Sequence, residues 1–292
     1  MKPEKTLDNL LKTLDERIAS PYELYHADSI EAYDGYWQIV DYLSATGSTR
    51  RNLRHYASRA RVDRIISSSS MYLSDGTTWN DKYDRDNFNP PSSGYKNFGM
   101  CLSANTEESI AMWMLYGGID GNGAMINFDK KTLKGAMHSS SYDLGYFDTR
   151  KRFITVLTLD ASQIKFRLMD VMYFDQSRKD KERFLLERKG ESKQTEISGR
   201  LSSGLHQIAK HKSWSYETEV RLVGSVCKLL LGRNADQCRF LKIPMNLNER
   251  FISSRIFDSP ASDGRGHFRQ SKLFGTVEWN LCGECKLKSK DD

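Results

Sequence analysis

The chain has 292 residues, 38% of them hydrophobic and 28% charged, which fits a soluble globular protein with room for a sizeable core. No run approaches the roughly 18 consecutive apolar residues that a membrane helix needs, and the first twenty residues lack the apolar stretch of a signal peptide. A protein without a membrane-spanning helix, located in the cytoplasm, is therefore the expectation. The net charge of +6 and a pI near 8.9 are compatible with a nucleic-acid partner without requiring one. Five cysteines, at 101, 227, 238, 282 and 285, are an odd number without framework spacing, the pattern of reduced thiols. Cys282 and Cys285 form half of a zinc site with no matching half nearby, so no metal is expected.

In chain order, Leu7, Leu10, Leu11, Leu14 and Ile18 recur at helical spacing, predicting an amphipathic N-terminal helix within residues 1–20 that docks on the main domain. Residues 21–281 read as a single domain and 282–292 as a charged tail. Tyr22 to His26 predicts a short strand, and Ile30 to Ser44 an aromatic-rich helix. Thr49 to Ile66 predicts a second helix, with Arg50, Arg54, Arg61 and Arg64 near one face. That face is either solvated or neutralises phosphates. Ser70 to Ser74 is a strand closed by the Asp75-Gly76 turn. A polar and aromatic box, Trp79-Asn80-Asp81-Lys82-Tyr83-Asp84, then occupies a loop, and a second loop runs from Phe88 to Gly99. Gly99 to Ser103 is a strand, and Glu107 to Tyr116 a helix started by an Asn105-Thr106 cap signal. Gly117, Gly118, Gly121 and Gly123 lead into the strand Ala124 to Phe128. Their plainest role is to let a tight turn approach another group closely, since they join helix to strand and lack the phosphate-loop Lys.

Lys130 to Leu159 is ambiguous. Ile164 to Phe174 predicts a strand and Asp175 to Ser213 a long charged helical region. Strands follow near 214–223, at Arg239 to Ile243, Ser254 to Phe257 and Thr276 to Leu281, with a short helix at Leu247 to Phe251 and a loop at Ser259 to Gly266. The elements mix without regular β-α-β alternation. The class is α+β, with mixed or mostly antiparallel sheets enclosing a cleft and helices at the periphery.

The most informative stretch is Lys212 to Leu222. Trp214, Tyr216, Thr218, Val220 and Leu222 alternate with Ser215, Glu217, Glu219 and Arg221, the pattern of a strand with one buried face. Glu217 and Glu219 would then point the same way, with Arg221 next in the row. Such a row either lines a cleft, where carboxylates acquire shifted pKa values, or forms a structural ion pair with Arg221.

Taken together, Leu24-Tyr25-His26, Met71-Tyr72-Leu73-Ser74, the Trp79 to Asp84 box, Cys101-Leu102-Ser103, Trp113-Met114-Leu115-Tyr116, Ile126-Asn127-Phe128-Asp129, Val171-Met172-Tyr173 and Trp214 to Arg221 resemble, in order, a bacterial family of unknown function suspected in phage defence. That family's box usually reads Phe-Asn-Asp-Pro-Phe/Tyr-Asp/Glu; here Trp79 and Lys82 replace the Phe and the Pro, and His26 stands where the first strand usually ends in Arg or Lys. The resemblance spans roughly residues 22–225. More distantly, the order resembles ADP-ribosyltransferases, which place Arg or His on a first strand, Ser or Tyr on a second and Glu on a third. That resemblance implies NAD as substrate and a macromolecular acceptor (nucleic acid or protein), while the resemblance to the family suspected in phage defence implies a partner protein within a defence or toxin system. It implies that His26 holds the NAD ribose, that Ser74 or Tyr72 supports the nicotinamide side, that Glu219 stabilises the cationic transition state and that Glu217 orients the acceptor. Tyr25, Asn80, Asp81, Trp113, Tyr116 and Arg221, from the same boxes, complete the set expected around NAD. Breaking a glycosidic bond builds positive charge on the sugar, which is what a carboxylate placed there stabilises.

Two other readings draw on the same residues. A nuclease would gather Asp81, Asp84, Glu217 and Glu219 around Mg²⁺, although no compact carboxylate-lysine spacing supports it. A ligand-sensing or partner-binding module would use the polar cleft without chemistry.

Overall fold

The computed structural model describes residues 43–44, 47–89, 91, 93–117, 121–176, 182–187, 194–199, 209–261, 268–273, 277–279 and 285–287. The expected N-terminal helix, the Tyr22 to His26 strand, most of the Ile30 to Ser44 helix and Cys282 lie outside them. Among the described residues no helix is long and apolar enough to cross a membrane.

The strands in chain order are β1 (Leu53–Ser58), β2 (Ser70–Ser74), β3 (Tyr95–Ser103), β4 (Gly123–Phe128), β5 (Ser141–Phe147), β6 (Phe153–Asp160), β7 (Ile164–Asp170), β8 (Met172–Gln176), β9 (Glu182–Glu187), β10 (Gln194–Gly199), β11 (Ala209–His211), β12 (Glu219–Cys227), β13 (Phe240–Pro244), β14 (Ile256–Asp258), β15 (Val277–Trp279) and β16 (Cys285–Leu287). Ten of them form one antiparallel sheet in the order β14-β4-β1-β3-β2-β13-β5-β6, from which β12 and β7 branch at β3. A four-stranded sheet, β10-β9-β8-β11, and the β15-β16 pair stand apart from it. The fold is α+β with a large, mostly antiparallel sheet and peripheral helices, as expected.

β3 is the hub, and the way it pairs opens the molecule. It matches β12 at nine consecutive positions from Glu219↔Ser103 to Cys227↔Tyr95. It meets β1 only at Arg54↔Ser103 and β2 only at Ser74↔Gly99. Between those two points β1 and β2 diverge over Met100, Cys101 and Leu102, and the sheet splits there. The main core packs Leu53, Phe98, Met100, Leu102, Val220 and Leu222. β12 is rich in valine and leucine because both of its edges are paired and Val220, Leu222, Val223 and Val226 are all buried.

Local signals explain the peripheral helices. Arg59–Ser68 buries Val62 and Ile65 and ends at Ser69 in the left-handed region (φ 45°), whose N–H returns to the carbonyls of Ile65 and Ile66. Asp129 caps Lys130–Ala136, and Asn248 caps Glu249–Arg255. Gly123 meets the expectation of close approach, because a Cβ there would collide with the backbone carbonyl of Gly117.

Several expectations are corrected. Thr49 to Ile66 is not one helix: Leu53–Ser58 is a strand, so Arg50 and Arg54 leave the supposed basic face. Arg50 pairs with Asp170 at 2.8 Å, and the buried Arg54 guanidinium donates to the carbonyls of Asn105, Thr106 and Glu107. The Glu107 to Tyr116 helix shrinks to Ile110–Met112 plus a π turn at Trp113–Gly117, and its N-cap is Ser109. The Phe88 to Gly99 loop gives way to β3 from Tyr95 onward, and Lys82–Asn87 is a helix inside the expected loop. The ambiguous segment is a helix followed by β5 and β6. Ile164 to Phe174 breaks into β7 and β8. The Asp175 to Ser213 region contains β9, β10 and β11 where a helix was expected: Lys, Glu, Arg and Leu are good helix formers, but propensity is worth only a few tenths of a kcal/mol per residue and pairing in a sheet overrides it.

The strand expected over residues 214–223 starts only at Glu219. Lys212–Glu217 is a 3₁₀ helix, and Tyr216 is exposed.

Candidate active site

The split between β1 and β2 is a cavity of about 400 Å³. Its floor is the Gly99 to Leu102 backbone of β3, and its walls come from β1, β2, the Arg59–Ser68 helix, the Trp79 to Asp84 box and the Lys210 to Glu219 segment. Tyr72, Ser74, Asn80, Asp81, Tyr116, Glu217 and Glu219, expected from sequence, all line it. Arg221 does not: it is fully buried behind Glu219. Trp113 is also elsewhere, fully buried with its ring edge-on to Tyr56 at 5.0 Å and its indole N–H donated to Glu108. Tyr25 and His26 lie outside the described residues.

Glu217 and Glu219 converge by a route that strand alternation does not describe. Between them Thr218 adopts φ 42°, an outlier for a β-branched residue. Asn105 fixes this turn: its Oδ1 accepts from the Thr218 hydroxyl at 2.7 Å, and its amide donates to the Tyr216 carbonyl at 3.1 Å. Ala104 N–H donates to the Thr218 carbonyl at 2.9 Å. Strain held in this way clusters at functional sites.

Both carboxylates are buried, at 3% exposure each, in a charge cluster with Asp84, Lys210 and Arg221. Lys210 Nζ donates to Glu217 Oε2 at 2.6 Å and to Glu219 Oε2 at 3.1 Å, and lies 3.7 Å from Asp84 Oδ2. Arg221 donates through Nε to Glu219 Oε1 and through Nη2 to Asp84 Oδ2, both at 2.6 Å. The Tyr116 hydroxyl donates to Glu217 Oε1 at 2.6 Å, and the Glu219 N–H donates to the Tyr173 hydroxyl at 2.8 Å. Trp214 and Trp79 cover the two cations, with ring centroids 4.7 Å from the Lys210 ammonium and 5.1 Å from the Arg221 guanidinium. Trp79 also donates its indole N–H to Ser74 Oγ at 2.7 Å, which fixes that hydroxyl in the cavity wall.

Three carboxylates facing two cations leave a surplus negative charge, and it is unevenly spread. Burial pushes the Glu219 carboxyl up, but Arg221 and Lys210 together outweigh burial and hold it well below the usual range, so it stays ionised. Burial, reinforced by the charge on Glu219, raises Glu217 despite Lys210 and Tyr116. Asp84 is likewise raised, by burial, and its Oδ1 is buried without a hydrogen-bond partner. Two neighbouring carboxylates with pKa values driven apart are the arrangement from which acid-base and electrostatic roles are divided.

Two residues that sequence reasoning missed belong here. Lys210 was hidden in the supposed long helix; it sits on the three-residue β11, which pairs in parallel with β8 and places Lys210 opposite Tyr173. His55 lies on β1, and its imidazole lines the cavity. His55 Nδ1 is 3.1 Å from the Cys101 carbonyl, which can only accept, so Nδ1 carries the proton and Nε2 is an acceptor. Burial lowers its pKa from 6.5 to about 4, so the ring is neutral at pH 7. No local pattern marked this strand: its apolar residues Leu53, Tyr56 and Ala57 fall at helical spacing, and only the pairing with β4 and β3 makes it a strand.

Arg61 and Arg64, one turn apart on the Arg59–Ser68 helix, also line the cavity, and the Arg64 guanidinium stacks over Phe147 at 4.5 Å. Among the described residues, no group of three or more His, Cys, Asp or Glu is arranged to hold a metal ion.

No curated protein and no solved structure matches this chain. A family model matches part of the chain: residues 112–222, the stretch holding Tyr116, Lys210, Glu217, Glu219 and Arg221, are similar to the family described as protein of unknown function (DUF2971).

Proposed function

We propose that the chain cleaves NAD in this cavity and transfers ADP-ribose to a macromolecular acceptor, acting as the effector of a defence or toxin system. The observation that carries the reading is the convergence of His55 from β1, Ser74 and Tyr72 from β2, and Glu217 and Glu219 on one cavity. The order resembles the Arg/His, Ser/Tyr, Glu order of the ADP-ribosyltransferases, with His55 in place of His26, the candidate from the sequence.

The residues present suit such a substrate. A 400 Å³ cavity lies within the range of small-molecule sites, roughly 300–1,000 Å³. Arg61 and Arg64 would hold the diphosphate, and Tyr72, Phe147 and Phe240 give an apolar wall for a ring. In the reaction the bond between ribose and nicotinamide breaks, its electron pair leaves with the nicotinamide, and the ribose becomes positively charged. Glu219, held ionised and immobilised by two cations, supplies a fixed negative charge in the cavity wall without reorganising. Glu217, with its raised pKa, can accept the proton that the acceptor loses as it bonds to the sugar. A metal-dependent nuclease is less well supported, because Lys210, Arg221 and Tyr116 already occupy the oxygens of Glu217 and Glu219 that a metal would need.

The test is release of nicotinamide from NAD by the purified protein, with and without a chelator. The proposal expects release in both conditions. A nuclease would instead cut nucleic acid only with divalent metal, and a sensor would bind without turnover; wild-type protein that releases no nicotinamide overturns the proposal.

A further inference from the structure

A second concavity lies beside the cavity, an open trough of about 910 Å³ lined by β1, β4, the helices Lys130–Ala136 and Glu249–Arg255, and the segment around Arg269 and Lys272. Arg54 contributes to the walls of both, so the two adjoin across β1. Six cationic side chains line the trough against two carboxylates, Glu108 and Asp129. Part of that charge is committed: Arg54 is spent on backbone carbonyls, Arg255 reaches Asp129 at 4.0 Å, and Lys272 reaches Glu107 at 3.9 Å. Lys131, Arg250 and Arg269 are exposed, and among the described residues none of the three has a carboxylate partner.

Between these cations stand the neutral amides of Asn52, Asn127 and Asn246, beside Asn248, whose Oδ1 is committed to capping the Glu249–Arg255 helix. Asn127 Oδ1 is buried without a hydrogen-bond partner, an acceptor placed beside an open, positively charged trough. Cations at intervals suit a run of phosphates, and amides between them suit the donor and acceptor edges of unpaired bases.

We infer that this trough binds a single-stranded nucleic acid through its phosphate backbone, with Lys131, Arg250 and Arg269 as the principal phosphate contacts. The inference stands on the trough alone and does not depend on NAD cleavage.

Fluorescence anisotropy of a fluorescein-labelled twelve-nucleotide oligothymidylate, titrated with the full chain between 50 and 200 mM salt, tests it. Wild-type protein is expected to bind with a salt slope of about −0.7 per phosphate contact. A Lys131→Gln, Arg250→Gln, Arg269→Gln variant should bind at least about tenfold more weakly and lose about two units of slope. A Lys165→Gln, Lys228→Gln, Arg233→Gln variant, with the same charge loss outside the trough, should match wild type. Three outcomes overturn the inference: no binding at 50 mM salt, an equal loss in both variants, or oligoglutamate competing as well as unlabelled oligothymidylate. Circular dichroism of each variant separates lost binding from lost fold.

Discussion

Replacing Lys210 with Met keeps most of the side-chain stem and removes one charge. In the native cluster that ammonium lies 2.6, 3.1 and 3.7 Å from three carboxylates, all at 5% exposure or less. Without it a single guanidinium faces three buried anions. Breaking a buried pair by removing one partner typically costs about 3–5 kcal/mol, since the remaining charge is left uncompensated. At about 2–4 °C per kcal/mol for a domain of this size, the melting temperature should fall by roughly 6–20 °C at pH 7.5. The loss should depend on pH, with a definite sign. In the variant at least one carboxyl has a folded-state pKa raised further above its unfolded value, beyond the upward shift Glu217 and Asp84 already have. The folded protein then takes up a proton that the unfolded chain does not, so acidification from pH 8 towards 5 restores stability and narrows the gap to wild type. Thermal melts by circular dichroism at half-unit pH steps read this directly. A drop of less than about 2 °C at pH 7.5, or a gap that widens in acid, would refute the picture of Lys210 as the shared counter-charge.

Two further outcomes follow from the cavity walls. The His55 imidazole, its pKa lowered to about 4 by burial, should show no NMR titration between pH 6 and 8. Because the unfolded chain takes up that proton near pH 6.5, His55 should make the fold less stable as pH falls from about 6.5 to about 4; a midpoint near 6.5 in the folded protein would contradict its burial. Arg61→Gln with Arg64→Gln should raise the KM for NAD about tenfold or more and leave kcat within about threefold, because these arginines face the substrate's charge and not the reacting bond. An unchanged KM would remove them from the site.

The legible part of this chain was whatever rests on local pattern. Ser70–Ser74, Gly123–Phe128 and the strand at Phe240–Pro244 alternate or run apolar between turn signals, and the reading of each falls within a residue or two of the observed bounds. The α+β class followed from the mixture of such segments. The convergence of Glu217 and Glu219 was also expected, but for an incorrect reason: the alternation suggested a strand, whereas a 3₁₀ helix and a left-handed Thr218 bring them together, held by Asn105 more than a hundred residues away in sequence. No pattern within Lys212 to Leu222 encodes that hydrogen bond. Lys210 was illegible because β11 has three residues and exists only through its pairing with β8. Arg50 and Arg54 read as a helical face because arginine is a good helix former, yet Leu53, Tyr56 and Ala57 pack in a sheet and override that preference. The cavity itself arises from β3 meeting β1 and β2 at one residue pair each, a feature of topology that a linear pattern does not contain.

The central claim is that Glu219 is a fixed anion opposite the charge that develops on the sugar as NAD is cleaved, with Glu217 serving the acceptor. Both residues hang on the same turn, so Glu219→Gln and Glu217→Gln serve as each other's controls, assayed well below their melting temperatures. The direct measurement is nicotinamide release by wild type and both variants, beside transfer of labelled ADP-ribose. Glu219→Gln should lower release by a factor of at least about a hundred, equivalent to roughly 3 kcal/mol of barrier. Glu217→Gln should depress transfer more than release. A folded Glu219→Gln protein that releases nicotinamide as fast as wild type would contradict the account and leave the cluster as a structural ion network alone.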